Sequence, residues 1–173
     1  LPIWLCMTHP GCATLQVIYN IFRQKLTEEL LPQARQDGVG ILARVPLASG
    51  LLAGRFPPGH QFPPSDHRHY NADGQVFNVG ETFAGIPFET GVQLAEKVRA
   101  ILDPEPGETM AQLALRWILD HDAVSTVIPG ASNVEQAESN AAASGLLPLG
   151  QATHRLLEEL YESEIAPVVR GTY

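Results

Sequence analysis

The sequence predicts an α/β protein built on a parallel sheet. Short apolar runs of strand length, at residues 15–19, 39–45 and 124–128, alternate with longer stretches of helical periodicity. One predicted helix separates the first two runs, and a strand-helix-strand unit of this kind pairs its strands in parallel. Such sheets bind ligands beyond the carboxyl ends of their strands, so a site is expected in the segments that follow these runs.

The start of the chain divides into three segments. The first seven residues, LPIWLCM, are apolar, but they lack a basic start and are far shorter than the roughly 20 residues of a membrane-spanning helix. We interpret them as a buried strand. Residues 15–19 are β-branched and aromatic, which is typical of a strand. Residues 27–38 follow as a helix, with Thr27 as candidate N-cap and Gly38 as the stop. Pro32 is best tolerated in a first turn, which allows the regular helix to begin after Thr27.

A long irregular segment follows the second predicted strand. Residues 57–87 are dense in Pro, Gly, Asp and His, and a loop of this length in a compact domain is usually functional or disordered. The spacing of His60, His67 and His69 lacks the helical or strand support that would fix a metal ion. We therefore predict a loop that folds over a ligand, and no metal site.

Regular patterning returns near residue 89. Apolar side chains behind Thr109, the predicted N-cap of the second helix here, share one helical face. The elements predicted in this part are a strand at residues 124–128 and helices at residues 89–102, 109–122, 133–143 and within 151–165.

Composition indicates an ordinary globular domain. Of the 173 residues, 45% are hydrophobic and 17% are charged, so residues 1–173 are predicted to form a single domain around one core. A net charge of −8 argues against nucleic acid and anionic membranes as partners, because binding either one requires a basic face that displaces counterions. Cys6 and Cys12 are too few for a disulfide framework, so we expect a cytoplasmic location.

Two glycine-containing turns follow predicted strands and suit a phosphate group. The turn after residue 128 leads directly into a helix, whose N-terminal N–H groups and dipole favour an anion. Gly130 allows close approach of the backbone there, and Ser132 and Asn133 supply donors. Residues 46–54, PLASGLLAG, offer a second cradle at the same edge. A single turn is most simply a chain reversal with an ordinary helix cap, but two at one edge favour a phosphate site.

Three segments of the sequence resemble the aldo-keto reductase family. They are LQVIYN at residues 15–20, GVGILARVPLASGLLAGRF at 38–56 and MAQLALRWILDHDAVSTVIPGASNVEQAESN at 110–140. The resemblance covers residues 13–149 and matches the C-terminal half of the family pattern. Members of the family are (β/α)8 TIM barrels that reduce carbonyl groups with NADPH. The resemblance thus implies an incomplete domain, a partial barrel with parallel strands, that binds NADP(H) and a small carbonyl substrate.

The resemblance also implies a set of cofactor contacts. Gln16 matches the family's glutamine at the nicotinamide carboxamide, and Arg44 occupies the position beneath the nicotinamide ring. The first glycine loop corresponds to the one that wraps the pyrophosphate, and the second turn to the one that holds the adenosine 2′-phosphate and adenine. The residues that these two segments contribute are Leu47, Ser49, Gly50, Gly130, Ser132, Gln136 and Asn140.

Two positions depart from the family pattern near the cofactor. The family commonly has an aromatic side chain where this chain has Arg44, although a planar guanidinium can also stack on a ring. The family often has Lys or Arg at the 2′-phosphate, whereas residues 130–140 contain neither, and Ser132 stands where an arginine is frequent. We therefore expect NADP(H), with NAD(H) as the alternative and only modest discrimination between them.

The catalytic Asp, Tyr, Lys and His of the family belong to the first half of the barrel, which the matching segments do not include. Tyr19, Tyr70 and His67 lie in the wrong elements for those roles, so we assign no catalytic residue to this chain. Two functions remain open: an NADP(H)-dependent aldo-keto reductase represented by its cofactor-binding half, and a non-catalytic nucleotide-binding or assembly module. Because a partial barrel has two unpaired edges, we expect self-association or pairing with a separate N-terminal half.

Overall fold

The chain forms a three-stranded parallel sheet in the order β1-β2-β3. The structure is a computed structural model that describes residues 2–171. The strands are β1 (Thr14–Ile18), β2 (Gly40–Arg44) and β3 (Val124–Ile128). Arg44 is paired with Ile18 on one side and with Ile128 on the other, so the carboxyl ends of all three strands align. The predicted α/β class with parallel strands is confirmed.

Helices lie before, between and after the strands. They are α1 (Pro2–Met7), α2 (Leu30–Asp37), α3 (His67–Tyr70), α4 (Phe88–Leu102), α5 (Met110–Leu119), α6 (Val134–Ala142) and α7 (Gln151–Leu160), which a π-helical turn extends over Tyr161–Ile165. Thr109 caps α5 in a reciprocal capping box with Gln112, as the sequence predicts. In the part of the chain that the structure describes, no helix has the length and apolarity needed to cross a bilayer.

The two faces of the sheet differ in burial. Leu15, Val17, Ile41 and Ala43 point to one face and are buried in a core that α2, α4, α5 and α7 complete. Side chains alternate along a strand, so the intervening positions, such as Gln16, point to the opposite face. Within residues 2–171 that second face is largely open, because Thr14, Gln16 and Thr126 are exposed there.

Two predictions about the first third of the chain are wrong. The predicted N-terminal strand is a helix over Pro2–Met7, and Leu1 lies outside the described residues. Its composition explains the difference, because Ile3 is the single β-branched residue among helix-favouring Leu and Met, and the segment meets the core through Met7. Thr27 is not the N-cap of α2, since it ends a 3-10 turn and donates its hydroxyl to the Gln24 carbonyl at 2.8 Å.

Candidate functional site

A cavity of about 990 Å³ opens at the carboxyl ends of β2 and β3. The loop after β2 forms one wall, and the turn after β3 with the first turns of α6 forms the other. Seven of the nine residues assigned to the cofactor line it, namely Leu47, Ser49, Gly50, Gly130, Ser132, Gln136 and Asn140. The sheet therefore brings together two segments about 80 residues apart in sequence, as parallel strands do with the loops at their carboxyl ends.

The other two assigned residues, Gln16 and Arg44, do not line this cavity. Gln16 lies in the middle of β1, paired with Leu42, and its side chain is exposed on the open face of the sheet. Arg44 is the last residue of β2 and binds Glu81, which does line the cavity. Both residues thus lie on the sheet rather than in the two loop walls of the cavity.

The loop after β2 has an unusual backbone conformation. Ala48 and Ser49 have φ angles of 48° and 56°, and Gly50 follows at 97°. Left-handed conformation costs a non-glycine residue on the order of 1–3 kcal/mol, so surrounding contacts must hold this loop. Glycine is favoured at position 50 by its positive φ angle and also by the space available, because a Cβ atom there would lie 2.9 Å from a ring carbon of Phe56.

The Ser49 hydroxyl supplies one of these contacts. It accepts a hydrogen bond from the backbone N–H of Phe83 at 3.1 Å and donates to the carbonyl of Glu81 at 3.3 Å. Phe83 and Ala84 are themselves in the left-handed region, with φ angles of 52° and 56°. The Ser49 side chain therefore ties two strained turns together.

The turn after β3 is organised by its own side chains. Gln136 Oε1 accepts hydrogen bonds from both the N–H and the hydroxyl of Ser132, each at 2.9 Å. Asn133 Oδ1 accepts from the Gln136 N–H at 2.8 Å, which makes Asn133 the N-cap of α6. Asn140 Nδ2 donates to the Gly130 carbonyl at 3.2 Å and closes the turn. The start of α6 is thereby fixed beside the cavity, with the positive end of the helix dipole directed at it.

Sequence reasoning missed three basic side chains in the cavity wall, those of Arg55, His67 and Arg68. Arg68 binds Asp66 through Nε and Nη2 at 3.0 and 2.6 Å, and this pairing lowers the pKa of Asp66 to about 2. The Arg68 guanidinium also lies 4.5 Å from the centre of the Phe62 ring, which orients it further. A signal was present for Arg55, because it directly follows the glycine loop.

These side chains divide the cavity electrostatically. Arg55 and Arg68, the latter paired with Asp66, belong to the wall that includes the first loop, whereas the wall from residue 130 to 140 is neutral apart from Glu135. The arrangement suits an elongated ligand whose most anionic group lies at the first loop.

Arg44 and Glu81 form a bidentate ion pair at the edge of the cavity. Arg44 Nη1 lies 2.6 Å from one carboxylate oxygen of Glu81, and Nη2 lies 2.5 Å from the other. Both side chains are partly buried, with exposed fractions of 33% and 27%. The hydrogen bonds to Glu81 hold the pKa of Arg44 above its usual value.

In the histidine-rich loop, residues 57–87, aromatic rings pack against one another. His60 lies against Phe56 and Phe62, with ring centres 5.0 and 4.8 Å apart. Within residues 2–171, no group of three or more His, Cys, Asp or Glu side chains is placed to hold a metal ion. The absence of a metal from the functional protein stays a prediction.

Fold and site together define an α/β protein with a cavity at the carboxyl ends of parallel strands. The Aldo/keto reductase family model matches residues 5–162, so the chain belongs to the aldo-keto reductase family. This confirms the resemblance found in the sequence.

Relatives of known name cover most of this chain. L-glyceraldehyde 3-phosphate reductase of Escherichia coli K12 is 32% identical over 126 residues, which are 72% of this chain and 34% of that protein. A probable voltage-gated potassium channel subunit beta of Arabidopsis thaliana is 33% identical over 132 residues, which are 76% of this chain and 38% of that protein. The chain thus spans between 34% and 38% of the length of these curated relatives.

Solved structures share the fold. Glycerol dehydrogenase AKR11B4 of Gluconobacter oxydans matches with a TM-score of 0.70 at 21% identity, covering 93% of this chain and 46% of that one. The holo form of aldo-keto reductase AKR11C1 of Bacillus halodurans matches with a TM-score of 0.63 at 23% identity, covering 92% and 46%. At these identities the similarity establishes the fold alone.

Proposed function

We propose that this chain is the cofactor-binding part of an NADP(H)-dependent aldo-keto reductase that reduces a small carbonyl compound by hydride transfer. The observation that carries the proposal is the convergence of seven assigned residues on one cavity. In this proposal the sheet is the C-terminal part of a (β/α)8 barrel. The open face of the sheet, with Gln16 exposed on it, supports that interpretation, because a closed barrel turns this face inward.

The residues present suit a nicotinamide dinucleotide. The basic side chains of Arg55 and Arg68 and the strained loop at Ser49 receive the pyrophosphate, and the N-terminus of α6 faces the adenosine phosphate. Arg44 and Gln16 are left for the nicotinamide, beyond the end of the cavity. The cofactor supplies the hydride when it is bound, and this chain binds and orients it. NAD(H) is the alternative cofactor, because the adenosine wall has no basic side chain.

The proton donor is proposed to come from outside the residues assigned here. We further propose that the open sheet face pairs with a separate N-terminal half or with a second copy of the chain, because β1 and β3 are both edge strands. A cytoplasmic location is part of the same proposal, supported by the free thiols of Cys6 and Cys12.

A second candidate is a non-catalytic nucleotide-binding or assembly module. One observation favours it: a relative at 33% identity is named as a probable potassium channel subunit rather than as a reductase. In this alternative the cavity binds the same cofactor, but the bound complex serves assembly.

Calorimetric titration of the chain with NADPH and NADH tests the proposal. We expect NADPH to bind to the wild-type chain. Arg55→Gln is expected to weaken NADPH binding by about tenfold, because a charge-assisted hydrogen bond is lost. Arg155→Gln removes the same charge from an exposed position on α7 and serves as the control. Failure of both cofactors to bind, or equal weakening by the two variants, would overturn the proposal.

Turnover separates the two candidates. The isolated chain is expected to show no carbonyl-dependent oxidation of NADPH, because general acid catalysis typically contributes about 10²- to 10⁴-fold in rate. Addition of an N-terminal half that carries the family's Asp, Tyr, Lys and His restores turnover if the chain is a reductase half. Tight binding with no turnover in that mixture favours the assembly module.

A further inference from the structure

The ion pair between Arg44 and Glu81 has a geometry that leaves the faces of the Arg44 guanidinium available to a ligand. Both Nη atoms of Arg44 donate hydrogen bonds to the Glu81 carboxylate, which lies at the edge of the guanidinium group. These bonds lie in the plane of the guanidinium, so they do not occupy its two faces. Arg44 is the last residue of β2, in the middle strand of the sheet, between Ile18 and Ile128 of the neighbouring strands. The pair therefore lies at the centre of the strand ends.

Glu81 is held in place independently of Arg44. It belongs to a 3-10 turn over Val79–Glu81, where its N–H donates to the Asn78 carbonyl at 3.0 Å. Its own carbonyl accepts from the Ser49 hydroxyl, which ties the turn to the strained loop of the cavity. The carboxylate thus projects from an ordered backbone, and the pair is formed before any ligand arrives.

The charge of the pair matters because of its place beside the cavity. Glu81 lines the cavity, and so does Val45, which directly follows Arg44 at the end of β2. The basic side chains of the cavity wall, those of Arg55, His67 and Arg68, follow later in the chain, and Asp66 binds Arg68. At the strand ends, the positive charge of Arg44 is compensated by Glu81.

We propose that Arg44 and Glu81 together form a charge-compensated platform for the nicotinamide ring, and that Glu81 sets the relative affinity for oxidised and reduced cofactor. This inference rests on the proposed function, which brings the nicotinamide to Arg44. The oxidised ring carries a positive charge and the reduced ring is neutral. A bare guanidinium beneath the ring therefore opposes the oxidised form alone, and the Glu81 carboxylate removes that opposition.

The test compares the dissociation constants of NADP⁺ and NADPH for four forms of the full chain: wild type, Glu81→Gln, Arg44→Gln and the double variant. Glu81→Gln is expected to raise the constant for NADP⁺ by about tenfold relative to that for NADPH. Arg44→Gln leaves a carboxylate without its cation, so the ratio is expected to move in the opposite direction. The double variant is expected to return close to the wild-type ratio.

Glu135→Gln is the matched control, since it removes the same charge from the adenosine wall of the same cavity. It is expected to change the binding of both redox forms by the same factor, because the ring charge lies at the other end of the cofactor.

Equal changes for the two redox forms in both single variants overturn the inference while leaving the proposed function intact. Absence of binding by wild type overturns the proposed function, and the inference falls with it. Circular dichroism verifies folding of each variant. Where Glu81→Gln does not fold, Arg44→Gln decides: relative tightening of NADP⁺ supports the inference, and an equal or opposite change overturns it.

Discussion

The hydroxyl of Ser49 accepts a hydrogen bond from the backbone N–H of Phe83, and both residues are in the left-handed conformation. The bond joins the loop after β2 to the turn that follows the histidine-rich segment. Each turn restrains the other, so the shape of the cavity wall depends on residues 34 positions apart.

Ser49→Ala is therefore expected to weaken cofactor binding although its hydroxyl is engaged within the protein. Loss of a hydrogen bond of this kind costs about 0.5–1.5 kcal/mol, which corresponds to roughly two- to tenfold in affinity if the loop relaxes from its bound shape. The melting temperature should fall as well. Calorimetry and thermal unfolding of the variant measure both effects. Ser65→Ala, at an exposed loop position, is the control, and equal behaviour of the two variants would contradict the role of Ser49.

Ser132→Arg is expected to tighten NADPH by about tenfold or more and to leave NADH nearly unchanged. The new guanidinium places a cation at the adenosine wall, where a charge-assisted bond contributes roughly 1.5–3 kcal/mol. Titration of both cofactors measures the effect, with Ser163→Arg at an exposed position as the control. A gain for both cofactors, or for neither, would mean that Ser132 does not face the 2′-phosphate.

The stability of the chain should fall as the pH drops below about 6.5, and His121 is expected to contribute. Burial against Trp117 and Tyr19, with ring centres 4.8 and 5.3 Å away, lowers the pKa of His121 below 6.5. Nearby His154 lowers it further, whereas the hydrogen bond to the Trp117 carbonyl and the charge of Asp120 act in the opposite direction. The unfolded chain thus binds the proton more readily, so acid favours unfolding.

His121→Phe tests this pH dependence. It should reduce the loss of stability between pH 7 and pH 5, by up to about 1.4 kcal/mol per pH unit where the histidine titrates. Denaturant unfolding at several pH values gives the slope. His69→Phe, at an exposed position, should retain the wild-type slope. An unchanged slope in His121→Phe would assign the acid sensitivity to other groups.

The isolated chain is expected to self-associate through the open face and the edges of its sheet. Thr126 is exposed on β3, an edge strand, so Thr126→Lys places a charge where another strand or copy would approach. Light scattering should show dimers or larger species for wild type and a smaller average mass for the variant. Ser163→Lys controls for the added charge. A monodisperse wild-type monomer would contradict this prediction.

Much of the site followed from local sequence. Strand-length runs, Thr109 as a helix cap and the two glycine turns are features of neighbouring residues, so they predicted the parallel strands and the two loops of the cavity. Family resemblance added particular residues, and seven of nine lie in that cavity.

The α/β class, the parallel strands and the loops that carry the site could be predicted from the sequence, because periodicity and turn chemistry act over a few residues. Tertiary structure decided the rest. The partner of Arg44 is Glu81, 37 positions later in an aperiodic loop, and Arg68 reaches the cavity from the same region. No local pattern encodes such contacts, since they exist only once a loop has folded back on the sheet. The N-terminal helix was missed for a different reason: the periodicity of a short apolar run fits a strand or a helix, and only its low content of β-branched residues favours the helix.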